Sequence, residues 1–154
     1  MITRRAATIG LLSMGLVVTT MAVARADSGV GFTSVVIGVG QINRSPEINI
    51  VKGTDVVTVQ NTIAPAGSSG WHSHPGIAVL VVQSGAVTLH TEDVTGGPCR
   101  TRTYSAGQVF IERPDHTNDA VNSGSVDAVV VVTFFNVPHG GLARIDRPNP
   151  GNCP

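Results

Sequence analysis

Short runs of apolar and β-branched residues alternate with clusters of Gly, Pro, Asn and Ser along the chain after residue 26. This alternation predicts short strands joined by turns. After residue 26, no window longer than ten residues has the 3.6-residue repeat of an amphipathic helix, so we predict an all-β domain. The predicted strands are residues 35–38, 48–52, 56–60, 77–83, 86–91, 102–104, 108–112, 118–122 and 126–136.

Three local patterns refine this prediction. Ser84 and Gly85 stand between two apolar runs, which indicates a hairpin turn. Residues 129–135 are apolar at nearly every position, so this strand is expected in the middle of a sheet. After Pro138 the chain is rich in proline, including Pro148 and Pro150, and we expect this tail to form no ladder and to lie across the surface.

The first 26 residues have the pattern of a secretory signal peptide. Arg4 and Arg5 form a basic start, residues 9–24 are mostly apolar, and Ala24-Arg25-Ala26 forms a small-residue cleavage site. The paired arginines also fit the twin-arginine export route. A membrane anchor is the alternative, but the apolar run of sixteen residues is shorter than the roughly 20 that a span needs. We therefore predict an exported protein, secreted, periplasmic or in the cell envelope, with one domain at residues 27–154 and no membrane contact after cleavage.

The charge of the chain excludes one class of partner. Ten Lys and Arg balance ten Asp and Glu, and only 13% of the 154 residues are charged. The leader holds three arginines, so its removal leaves seven basic and ten acidic side chains, a net charge of −3. No nucleic-acid binding is expected without a strong basic field.

Cys99 and Cys153 are the two cysteines of the chain. In an oxidising compartment a disulfide is the expected state of such a pair, and this one would fix the proline-rich tail. Closing a 54-residue separation stabilises the fold by about 4 kcal/mol in the chain-entropy model. Two thiolate metal ligands are the alternative, but the pair lacks the close spacing typical of such sites.

The candidate chemistry lies in the segment Trp71-His72-Ser73-His74-Pro75-Gly76. On an extended backbone, residues i and i+2 project from the same face about 7 Å apart, so the two imidazoles can meet at one ion. The alternative is a pair of surface histidines. A second segment with candidate ligands lies further along the chain, from Gly107 through His116 and Asn118 to Asn122.

With these two segments the chain resembles a single-domain cupin. The first motif of that family is G-x5-H-x-H-x3-4-E-x6-G, and His72, His74 and Gly85 match it. The second is G-x5-P-x-G-x2-H-x3-N, which Gly107 and Asn122 match. The resemblance implies a small jelly-roll β-barrel, also called a double-stranded β-helix, with an apolar cavity, a divalent metal ion at one end and a small-molecule ligand. It is also compatible with a homodimer.

The departures from the two motifs leave the third metal ligand open. The glutamate position of the first motif falls on Ala78, and the histidine position of the second falls on Asn118, with His116 two residues earlier. Three arrangements compete: His72 and His74 with His116; the same pair with the side-chain oxygen of Asn118; or a barrel without metal, in which the histidines form hydrogen bonds. Mn, Fe, Co, Ni, Cu and Zn all remain candidates.

The function implied by the resemblance has two alternatives. One is metal-dependent oxygenase- or isomerase-type chemistry on a small molecule, with Asp115, Glu112 and Gln108 as candidates for proton transfer. In that reading Glu112 also has an alternative role as an exposed ion-pair partner of Arg113. The other function is non-catalytic, a ligand- or metal-binding envelope protein with a degenerate site.

Overall fold

The structure is a computed structural model that describes Gly38, Val39, Gln41 and residues 48–153. The predicted leader at residues 1–26 lies outside these residues, as does almost all of the predicted strand 35–38. The described residues form strands and no helix, and therefore hold no helix long and apolar enough to cross a bilayer. The strands are β1 (Thr54–Ile63), β2 (His72–Ser73), β3 (Ala78–Ser84), β4 (Ala86–Thr91), β5 (Arg100–Ser105), β6 (Val109–Glu112), β7 (Asn118–Val121), β8 (Ala128–Pro138) and β9 (Ile145–Asp146).

The strands form two antiparallel sheets that enclose one hydrophobic core. Their orders are β1-β8-β3-β6 and β5-β4-β7-β2-β9. Alternate residues of β3 and β4 point inward and meet residues of β6, β7 and β8 there, as the two-residue repeat of a strand requires. Strand β8 lies between β1 and β3, which confirms the prediction that residues 129–135 are in the middle of a sheet. One face of β8 is buried, and the other is mostly half-buried. The all-β prediction and the jelly-roll architecture are confirmed.

Three predicted features of the chain were wrong, and the first two concern residues 48–52 and the tail. Residues 48–52 do not form a strand, because the side chain of Asn136 satisfies their backbone: it accepts from Val51 N at 2.8 Å and donates to Asn49 O at 2.7 Å. The tail does form a ladder, since β9 pairs with β2. Pro148 and Pro150 come after β9, so the backbone N–H groups that they lack are not ones that β9 needs for pairing. Directly after β9, Arg147 N donates to Trp71 O at 2.9 Å.

The turn at Gly85 is also different from the prediction. It does not close a hairpin, because β3 and β4 belong to different sheets. Gly85 has φ +71°, and a Cβ there would stand 2.7 Å from the carbonyl oxygen of Asp127. A side chain therefore does not fit where the chain crosses between the sheets.

The predicted disulfide between Cys99 and Cys153 is confirmed and fixes the end of the tail.

Candidate metal centre

His72, His74 and Glu112 converge at one point in the barrel interior. Their ligating atoms all lie within 4.8 Å of one another, and all three residues are buried. Glu112 Oε2 is 2.7 Å from His74 Nε2 and 3.8 Å from His72 Nε2. The two histidines come from β2 and the residue that follows it, whereas Glu112 ends β6. The site thus draws on both sheets.

Backbone carbonyls fix the proton positions of both imidazoles. His72 Nδ1 donates to Gly70 O at 2.7 Å, and His74 Nδ1 donates to Ala143 O at 2.7 Å. A carbonyl oxygen can only accept, so the proton of each neutral ring is on Nδ1 and the lone pair is on Nε2. Both Nε2 atoms therefore present a lone pair to Glu112.

In this arrangement the hydrogen-bond acceptors His72 Nε2 and His74 Nε2 face another acceptor, the carboxylate of Glu112. An ionised carboxylate has no proton to donate, and Glu112 Oε1 has no hydrogen-bond partner although it is fully buried. A buried carboxylate without a partner is costly, and a cation among these atoms would satisfy all of them. Two imidazole nitrogens and a carboxylate oxygen are ligands that suit divalent transition metals. The residues present therefore fit the metal ion that the resemblance implies.

The surroundings favour a neutral, coordinating imidazole at His72. Burial lowers the pKa of His72 below its ordinary value of 6.5. The carboxylate of Glu112 opposes this shift, while the positive charge of Arg144 adds to it. His74 is held from the side by the ring of Phe134, whose centroid is 4.8 Å from that of the imidazole.

The cluster opens into a cavity of about 700 Å³, named here the histidine cavity. Its interior is apolar, and polar side chains of β1, of the loop before β2 and of the tail line the rest. The lining includes Gln60, Asn61, Ser68, Ser69, Leu80, Phe110, Val130, Val132, Phe134, Arg144 and Asp146 beside the three cluster residues. A molecule in this cavity can approach the cluster directly.

The other two predicted ligands are elsewhere. His116 and Asn118 line a second cavity of about 610 Å³ together with three arginines. The backbone of Asn118 pairs with that of His72 in the β2–β7 ladder, but neither residue lines the histidine cavity. The Asn118 amide is engaged there: its oxygen accepts from Thr91 Oγ1 at 2.8 Å, and its nitrogen donates to His116 O at 2.9 Å.

Glu112 takes the place that sequence reasoning assigned to His116 or Asn118. It is not the exposed ion-pair partner considered from sequence, since only 2% of it is accessible. Antiparallel pairing sets Glu112 directly opposite Ala78, the residue at the glutamate position of the first motif. The carboxylate missing from β3 is thus supplied by the neighbouring strand. One signal was available: in the run 109–112, Phe110 and Glu112 alternate with residues of the other face, so both point inward.

The remaining candidates for proton transfer lie outside the histidine cavity, although Asp115 N donates to His74 O at 2.9 Å. Asp115 and Gln108 are exposed, and neither lines the histidine cavity. Gln108 instead accepts from Ser105 N at 2.7 Å.

Comparison with solved structures shows the fold. The chain is similar to an oxalate oxidase solved with the substrate analogue glycolate, at 24% identity and a TM-score of 0.50, over 53% of this chain and 42% of that one. It is similar to the oxalate decarboxylase of Bacillus subtilis, described with Mn(II) centres, at 21% identity and a TM-score of 0.54, over 60% of this chain and 24% of that one. The chain thus spans less than half the length of either enzyme.

A third similar structure has nearly the same length as the matched region. It is a Klebsiella pneumoniae protein with a double-stranded β-helix domain, at 24% identity and a TM-score of 0.50, over 71% of this chain and 91% of that one. Among curated proteins, no significant match was found. The family model described as "Cupin domain" matches residues 59–134, which include all three residues of the cluster. Residues 59–134 of this chain therefore form a domain of the cupin family.

Proposed function

We propose that this protein is an exported cupin that holds one divalent transition-metal ion at His72, His74 and Glu112 and presents it to a small molecule in the histidine cavity. The observation that carries the proposal is the buried Glu112 Oε1 without a partner, beside two imidazole lone pairs. Three protein ligands leave coordination positions open on an ion of this kind. The similarity to a decarboxylase with Mn(II) centres supports an ion of the same charge.

The chemistry follows from the setting of the ion. A bound divalent metal supplies a Lewis acid that polarises a substrate oxygen, as oxygenase- or isomerase-type reactions require. The residues of this chain do the rest. The carbonyls of Gly70 and Ala143 hold both imidazoles in the coordinating tautomer, and the apolar side chains of the lining offer a contact surface to the bound molecule.

The metal content of purified variants tests the ligand set. Wild-type protein is expected to hold about one ion per chain, and His72→Ala, His74→Ala and Glu112→Ala are expected to lose it. His116→Ala and His90→Ala are matched controls, because each removes an imidazole outside the cluster. A loss of metal in His116→Ala with full occupancy in Glu112→Ala would contradict the proposed site and restore the three-histidine alternative.

Export is supported by two observations, the signal-peptide pattern of residues 1–26 and the disulfide between Cys99 and Cys153. Mass spectrometry of protein from the culture fluid or periplasm tests it. The expected mature chain begins at Asp27, and a full-length chain retained in the cytoplasm would contradict export.

A further inference from the structure

Arg144 brings a positive charge to the histidine cavity from outside the family match. It lies in the tail, beyond residue 134 where the match ends, and it lines the cavity together with the cluster. Its guanidinium lies against Gly70, since a Cβ on that glycine would stand 3.6 Å from Arg144 Nη2. Gly70 is also the residue whose carbonyl holds His72. The charge therefore lies on the His72 side of the cavity.

The partner that Arg144 has in the structure is weakly held. Arg144 Nε and Nη2 both contact Asp146 Oδ1 at 3.0 Å, so the two bonds end on one oxygen. The side chain of Asp146 is 87% accessible and that of Arg144 is 40% accessible. An exposed pair of this kind contributes little, and a two-oxygen fork with another carboxylate has the better geometry. Arg144 can thus exchange Asp146 for a carboxylate that enters the cavity.

With a divalent metal ion bound, the net charge of the histidine cavity favours an anionic ligand. Glu112, Asp146 and Arg144 are the lining residues with a fixed charge, and a divalent ion beside them gives a net charge of +1. The interior walls are apolar, and uncompensated charge is costly in such surroundings. A monoanion would neutralise the cavity, while an apolar body would fill the space between Phe110 and Phe134.

We propose that the histidine cavity selects organic monocarboxylates with an apolar body and that Arg144 is the residue that determines this selectivity. The inference rests on the proposed metal site, because the positive excess requires the ion. It goes beyond the cupin match, since the selecting residue lies in the tail.

Calorimetric titration of the zinc-loaded protein tests the inference. The probes are benzoate and hexanoate, each compared with its neutral amide of nearly the same shape, benzamide and hexanamide. A charge-assisted hydrogen bond is stronger than a neutral one, so each carboxylate is expected to bind at least about tenfold more tightly than its amide. Equal binding of acid and amide would overturn the proposal.

Two variants assign the preference to Arg144. Arg144→Gln is expected to reduce the acid-to-amide ratio to about one at unchanged zinc content. Asp146→Asn removes the competing carboxylate and is expected to tighten benzoate binding, which loss of a merely structural contact would not do. Arg113→Gln deletes an arginine that lines the other cavity and is expected to behave as wild type. An acid preference that persists in Arg144→Gln, or weaker benzoate binding in Asp146→Asn, would overturn the assignment.

Zinc content, measured on every sample, separates the two possible failures. Protein that binds no zinc contradicts the metal site itself, and with it this inference. Protein that binds zinc at the cluster but shows no preference for the acid contradicts only the role of Arg144.

Discussion

Glutamine at position 112 is expected to stabilise the metal-free protein and to abolish its stabilisation by metal. In the metal-free state the Glu112 carboxylate faces two Nε2 lone pairs, because Gly70 O and Ala143 O take the Nδ1 protons. The amide of Glu112→Gln has the same shape but carries donors, so it can donate to His74 Nε2, which is 2.7 Å from Oε2. The substitution thus removes a conflict from the empty site.

The magnitude follows from the contact between Glu112 Oε2 and His74 Nε2, two acceptors that have no donor between them in the metal-free protein. Leaving one buried polar group without a partner costs about 1–3 kcal/mol. We take the lower end, since the second imidazole acceptor, His72 Nε2, is 3.8 Å from Oε2 and the amide must move to reach it. A gain of about 1 kcal/mol raises the Tm of a domain of this size by roughly 4 °C. Zinc at a hundredfold excess over Kd adds about 2.7 kcal/mol to the wild type, and the neutral amide forfeits most of it.

Calorimetric melting of chelator-treated and zinc-loaded samples measures both effects. Glu112→Ala is the control: it also loses the zinc effect, but it leaves a cavity and is expected to melt below the wild type when metal-free. A metal-free Glu112→Gln that melts below the wild type would refute the proton assignment. That result would mean that His74 carries both protons and pairs with the Glu112 carboxylate. Replacing this carboxylate by an amide would then leave the buried imidazolium without its counter-charge.

Three further predictions concern the disulfide, the pH dependence of metal binding and a surface pair. Replacing Cys99 and Cys153 by serine is expected to lower the free energy of unfolding by about 4 kcal/mol, measured by denaturant titration with the oxidised wild type as reference. Metal occupancy after dialysis is expected to fall below about pH 6, because imidazoles coordinate only when neutral; burial lowers the pKa of His72, so that ligand is lost only below its ordinary 6.5. A pH-independent metal load would indicate oxygen ligands. The hydrogen bond to Asp55 raises the pKa of His139 above 6.5, and the same bond lowers that of Asp55 below 3.8. The His139 contribution to stability is therefore complete below pH 6.5 and lost as the pH rises through the raised pKa, whereas the Asp55 contribution is present above pH 3.8 and lost as the pH falls through the lowered one. In Asp55→Asn the pKa of His139 is expected to return toward 6.5, which NMR titration measures.

The strands of the barrel could be predicted because each depends on local alternation. Residues 77–83 and 86–91 have the two-residue repeat of a half-buried strand, and the structure forms β3 and β4 there. Residues 48–52 have similar composition but no neighbouring strand, since Asn136 occupies their backbone groups. Whether an apolar run joins a sheet depends on contacts that are remote in sequence.

The same distinction explains which part of the metal centre could be predicted. His72 and His74 share a face because they are two residues apart, and this follows from the sequence alone. Glu112 joins them through the register of β3 and β6, which places it opposite Ala78. The second cupin motif pointed instead to Asn118, with His116 two residues earlier. Asp115 has φ +60° and β7 begins only at Asn118, so no regular strand carries His116 toward the cluster.

The tail completes the metal centre, and its attachment should therefore affect metal affinity. Ala143 O sets the tautomer of His74, and β9 pairs with the strand that carries His72. The disulfide anchors the end of this tail, so its removal is expected to loosen the Ala143 contact and to weaken zinc binding. Loss of such a supporting hydrogen bond costs 10–100-fold in affinity, and partial loosening should reach only the lower end, about tenfold. Competition with a chelator measures this on the double serine variant at a temperature where circular dichroism shows it folded. Unchanged zinc affinity in that folded variant would show that pairing with β2 alone holds the tail against the metal centre.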